Sequence, residues 1–161
     1  MKQRTRARSI ALQALYEIDL SGHPMGAVID QRIKEAPLDE SLADFAREIV
    51  LNVAPISQVL DWVIAEHAPE WPMDQVAYID RNILRIALWE MAIYKDTPIK
   101  VAINEAVELA KQYGSEGTPR FVNGVLGSLS DHLNDVQQAL QKYQKTHRTT
   151  PLDMDTSSTN H

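Results

Sequence analysis

The chain has 161 residues, 44% of them hydrophobic and 24% charged, with no cysteine and a formal net charge of −6. That length supports one domain or two small subdomains with a real core. The missing cysteine excludes disulfide and thiolate chemistry and fits a reducing cytoplasm, and the negative total excludes a molecule that clings as a whole to nucleic acid. No apolar run reaches the length of a membrane span. The basic N-terminus leads into Ala11-Leu12-Gln13-Ala14-Leu15-Tyr16-Glu17, which lacks the unbroken apolar segment of a signal peptide. The charge is unevenly placed: Lys2, Arg4, Arg6 and Arg8 precede the first acid, Glu17, so the remainder carries −6 − 4 = −10. A basic tip on an acidic body points to a localised anion-binding site.

In chain order, residues 3–20 read as a first helix with Ala7, Ala11, Ala14, Leu15 and Ile18 on one face. Arg6, Ser9, Gln13 and Tyr16 share roughly the opposite face. Ser21-Gly22-His23-Pro24 ends the helix. A short second helix around Val28, Ile29, Arg32 and Ile33 runs to Pro37. A third is capped by Asp39 or Ser41, and Pro55 kinks or breaks its long apolar run, which Pro69 and Pro72 end. The Pro69-Glu70-Trp71-Pro72 stretch marks a boundary between bundles at residues 1–70 and 71–144. The fourth helix covers about Val76 to Tyr94, with Ile79, Ile83, Ile86, Ala87 and Tyr94 on one stripe. Glu90 falls on that stripe too, and a buried carboxylate needs partners, such as a helix N-terminus or a nearby Arg or Asn. The fifth helix is capped by Thr97, starts at Pro98 and stops at Gly114. The sixth opens at Thr118-Pro119 and runs on through Leu129, Leu133, Val136 and Leu140. From about Lys145 the sequence turns polar, and 145–161 reads as a disordered tail. The expected fold is all-α, with six to seven helices and no strand.

Catalysis finds little support. His23, His67, His132, His147 and His161 are scattered, with no pair at zinc spacing, and Gly114-Ser115-Glu116-Gly117 lacks the ending of a phosphate loop. Glu90 with Asn104 and Glu105 is the most that an enzyme reading can assemble. Neither metal nor cofactor is expected. Nucleic-acid binding is better supported, from two separate places. The N-terminal arginines match phosphate oxygens and oppose the helix dipole, so they do not serve helix stability. Arg120-Phe121, with Tyr113 a turn before the Gly-rich loop, has the types that hold single-stranded RNA. Phe121 equally suits packing between helices. A helical adaptor that binds only protein is the rival reading.

Three blocks carry a family resemblance. Arg4-x-Arg6-x-Arg8 with Ala11 to Tyr16, then Ile79-Asp80-Arg81-Asn82-Ile83-Leu84-Arg85-Ile86-Ala87-Leu88-Trp89-Glu90, then Lys100 to Lys111 followed by Phe121-Val122-Asn123-Gly124-Val125-Leu126 resemble the NusB family of bacterial antitermination factors in order and spacing. The resemblance implies two small helical bundles packed together and no catalytic activity. It implies binding to boxA RNA of ribosomal RNA operons together with the ribosomal protein NusE. It further implies assembly with RNA polymerase and other Nus factors, suppression of termination and support of ribosomal RNA maturation. Carried over by position, the RNA-binding residues are Lys2, Arg4, Arg6, Arg8, Gln13, Arg120 and Phe121, with Glu105 and Glu108 as partner contacts. A homodimer that buries the RNA face would be an off state. Gly117 stands where relatives carry an acid, and Thr5 interrupts a denser arginine run.

Overall fold

The computed structural model describes residues 3–145, and these fold as helices joined by short turns. The helices are α1 (Gln3–Ser21), α2 (Met25–Glu35), α3 (Glu40–Val53), α4 (Ser57–His67), α5 (Tyr78–Trp89), α6 (Ile99–Tyr113) and α7 (Thr118–Asp131), with α8 at 133–145. Lys2 and the stretch 146–161, which holds most of the expected tail, lie outside the described residues.

The helix α5 organises the packing. Every residue from Asn82 to Trp89 is buried, the property of a helix surrounded by others rather than one with a single wet face. Ile83, Ile86 and Ala87 of the expected stripe are among them, and Ile79 packs against the same core. The helix touches α1 and α3 on one side and α4, α6 and α7 on the other. On the N-terminal side α1 packs on α2 and α3; on the C-terminal side α6 packs on α7. One continuous apolar core runs through both groups. The helix α4 lies against α5 and α7.

Pro55 does break the helix. A 3-10 turn at Ala54–Ile56 separates α3 from α4, because proline lacks the donor needed mid-helix. Among the described residues, Glu40–His67 is the one stretch long and apolar enough to cross a membrane by composition alone, an apolar run the sequence reading did not credit. In the fold it is interrupted at this turn, and Phe45, Ile49, Val53, Leu60 and Ile64 are core residues.

Several local expectations change. Asp39 takes the cap position of α3 but makes no side-chain cap bond. Pro98, not Thr97, takes the cap position of α6; the Thr97 hydroxyl instead donates to Glu90 Oε1 at 2.8 Å. A buried carboxylate needs that donor more than a helix end that water can serve. The last helix does not run through: α7 stops at Asp131, His132 turns, and α8 resumes, still burying Val136 and Leu140. After Trp89 the chain loosens into a π-helical turn, Glu90–Tyr94, closed by Lys95 at φ 65°.

Gly114 ends α6 for a reason other than handedness. Its φ is −87°, but a Cβ there would lie 2.5 Å from the Thr118 Cβ. Glycine lets α6 and α7 meet this closely. Gly114→Ala is expected to cost about 1–3 kcal/mol, as forced overpacking does, read as a lower urea midpoint with an unchanged slope.

Candidate nucleic-acid interface

The N-terminal arginines divide into three environments. Arg8 points inward and is 2% exposed. Its Nε donates to Glu90 Oε2 at 2.8 Å and its Nη2 to Glu90 Oε1 at 2.7 Å, and Nη1 lies 3.6 Å from Glu105 Oε1. Burial pulls the Arg8 guanidinium down, but the hydrogen bond and charge of Glu90, with Glu105 adding, outweigh it and hold Arg8 above its ordinary value. The Arg8 fork is spent inside the protein, where a buried charge must be paired. The same pair answers the conflict at Glu90, which is 1% exposed and receives Arg8 and Thr97.

Arg4 is exposed and seated. Its guanidinium lies 4.1 Å from the centre of the Phe45 ring and donates to the Tyr94 hydroxyl at 3.2 Å. Such an exposed cation–π contact is worth about 0.5–1 kcal/mol, enough to orient the side chain while leaving other donors open. Arg6 is exposed, and its side chain has no ion pair or hydrogen bond among the described residues.

The polar face of α1 meets the end of α6. Ser9 and Tyr113 share a short hydroxyl–hydroxyl hydrogen bond, and Gln13 Nε2 donates to the Tyr113 hydroxyl at 2.9 Å. The Gln13 carbonyl oxygen accepts from Arg32 Nη1 at 3.0 Å. Gln13 therefore ties three helices together. Tyr113 directly precedes Gly114, so the turn before α7 is tethered to the arginine-bearing helix. Beyond the turn, Arg120 is exposed and without a side-chain partner among the described residues. Its neighbour Phe121 is half-buried against the Trp71 ring, edge to face at 6.3 Å, so it packs as a helix-to-loop wedge with part of its ring accessible. The Thr118 hydroxyl accepts from the Ser115 amide and donates to Asp80 at 3.1 Å, which fixes the turn from the other side. Burial pushes the Asp80 carboxyl up, and the Thr118 bond offsets part of this.

The expected partner contacts also differ from each other. Glu105 is half-buried, accepts from Thr5 at 2.8 Å and faces Arg8. Glu108 is exposed beside Lys111 at 3.3 Å. Both line a groove of 710 Å³ with Thr5, Asn104, Val107 and Gln112. Among the described residues no group of three or more His, Asp or Glu could hold a metal ion.

Sequence reasoning missed the seats of the arginines, Phe45 and Tyr94, and it missed Arg32 as the partner of Gln13. These residues lie on other helices, and no spacing in the sequence connects them. Trp71 behind Phe121 had a signal, an aromatic between two prolines.

The helical scaffold carries exposed arginines on α1 and α7 and a hydrogen-bonded junction of three helices. The chain belongs to the NusB family, whose description matches residues 5–131. That family consists of transcription antitermination factors and is non-enzymatic and RNA-binding. The transcription antitermination protein NusB of Dehalococcoides mccartyi is 47% identical over 132 residues, covering 82% of this chain and 92% of that protein. The corresponding protein of Bacillus subtilis is 40% identical over 139 residues, covering 86% of this chain and all of that one. A solved complex of the antitermination factors NusB and NusE with double-stranded RNA contains a similar chain at TM-score 0.71 and 26% identity, covering 86% of this chain and 98% of that one.

Proposed function

We propose that this chain binds boxA RNA of ribosomal RNA operons together with the ribosomal protein NusE. It thereby joins RNA polymerase and other Nus factors in the cytoplasm, suppresses termination and supports ribosomal RNA maturation. Membership of the NusB family supports this reading, as does a similar chain in a complex with NusE and RNA. The observation that carries it is local: Arg6 on α1 and Arg120 on α7 are exposed cations without side-chain partners among the described residues, and the Tyr113 hydrogen bonds tie α1 to the turn before α7, with Arg4 exposed on α1 as well.

In this mechanism Arg4, Arg6 and Arg120 neutralise phosphates of an unpaired strand. The accessible part of Phe121 packs beside a base, and Lys2 adds to the basic tip. Gln13 holds the junction together, its amide nitrogen donating to Tyr113 and Ser9. The acidic remainder, with Glu108 in the groove along α6, receives the basic ribosomal partner and steers its approach. A homodimer over the arginine face is the corresponding off state.

Fluorescence anisotropy with a boxA-like RNA, with and without NusE, tests the reading. The joint change Arg4→Ala, Arg6→Ala and Arg120→Ala, with Arg8 kept, is expected to lower affinity. It should also flatten the plot of log K against log salt by about 0.7 for each lost contact on a single strand. Unchanged affinity and slope would leave the chain as a protein-only adaptor.

A further inference from the structure

We infer that Arg32 on α2 is an additional RNA-phosphate contact, held ready by Glu17, so that the RNA face extends from α1 onto α2. The inference rests on the RNA-binding reading above and adds a residue to it. Arg32 lies between two side chains of the polar face of α1. Its Nη1 donates to Gln13 Oε1 at 3.0 Å, and its Nε and Nη2 donate to one oxygen of Glu17 at 3.2 and 3.0 Å. Its side chain is 32% exposed.

A guanidinium carries five N–H donors in a fixed plane. Three are used, one on each nitrogen, which leaves one N–H on each Nη. Each of these can donate to a phosphate oxygen, a charge-assisted bond. Because Gln13 and Glu17 already hold the plane, little side-chain freedom remains to be lost on binding, which lowers the cost of the contact. The location is right for a strand that follows the open face: Arg6 precedes Gln13 on that face, and Tyr16 and Leu20, beyond it, are exposed.

The carboxylate of Glu17 has two opposed effects. Its oxygen orients Arg32, while its charge repels a phosphate. Its second oxygen lies 3.5 Å from His23 Nδ1, so the imidazole is the other group facing it. Gln at this position keeps an acceptor oxygen and removes the charge, which separates the two effects.

The test uses the full chain and a fluorescein-labelled, boxA-like single-stranded RNA, titrated over a range of salt. Arg32→Ala is expected to weaken binding on the order of tenfold at low salt and to flatten the salt slope by about 0.7. Glu17→Gln is expected to tighten binding, and the double variant Glu17→Gln with Arg32→Ala to behave like Arg32→Ala. Thermal melts of each variant accompany the titrations. If Arg32→Ala lowers only the melting temperature, and Glu17→Gln leaves affinity alone while Arg6→Ala weakens it, Arg32 is a structural tie between α1 and α2 and the inference is overturned. If Arg6→Ala and Arg120→Ala are silent as well, the RNA-binding reading itself fails.

Discussion

Arg8→Ala is expected to lower the unfolding free energy by about 3–5 kcal/mol, the loss that follows when one partner of a buried ion pair is removed. The Glu90 carboxylate would stay in the core with the Thr97 hydroxyl as its one remaining donor, at 2.8 Å. Because Arg8 belongs to α1, Glu90 to the turn after α5 and Glu105 to α6, the loss would loosen the meeting of the two helical groups. Replacing both partners by apolar residues, Arg8→Met with Glu90→Leu, is expected to recover most of it. Urea denaturation of the three variants at neutral pH checks this; a loss under about 1 kcal/mol in Arg8→Ala would be the size of a surface pair and would refute the structural role. One consequence concerns RNA. A variant that removes Arg4, Arg6 and Arg8 together loses binding through damage to α1, and is no measure of phosphate contacts.

Arg85→Ala is the second large effect, expected at about 3 kcal/mol, the lower end for a buried pair. Arg85 is 4% exposed. Its Nε and Nη2 donate to the two oxygens of Asp61 at 2.7 and 2.6 Å, and its Nη1 donates to Asp19 at 2.7 Å and to Asn82 Oδ1 at 3.0 Å. Burial again pulls the guanidinium down, and Asp61 and Asp19 outweigh it, leaving Arg85 above its ordinary value. Its charge is therefore constant over the pH range in which the protein is handled. The aspartates are each 19% exposed, so water relieves part of the penalty when Arg85 is lost, which sets this effect below that of Arg8. Arg85→Lys keeps the charge but not the fork, and is expected to restore less than half. Thermal unfolding of both variants distinguishes charge from geometry: full rescue by lysine would show that charge alone matters.

Much of the fold was legible. The period of apolar residues located α1, α3, α6 and α7, and Pro55 marked a helix break, because helix geometry and proline chemistry act within a few residues of sequence. The helix α5 was harder. Its apolar stripe was visible, with Glu90 as a conflict on it, but the partners of Asn82, Arg85 and Glu90, which are Asp19, Asp61 and Arg8, lie on other helices. The three-helix junction was half legible: Ser9 and Gln13 share a helix face by spacing alone, whereas Tyr113 and Arg32 reach them only through tertiary contact.

The sequence by itself determined an all-helical chain, its NusB likeness, a basic start on an acidic body, and the glycine-marked turn between α6 and α7. The likeness rests on three motif blocks; the other properties follow from composition and short-range periodicity. Only the tertiary structure decided what each arginine does. Arg4, Arg6 and Arg8 look alike in sequence, yet one is seated on Phe45, one is free and one is buried on Glu90. Alternate positions on a helix point about 200° apart, and which of those directions meets a carboxylate, an aromatic ring or water is set by helices far away in the chain.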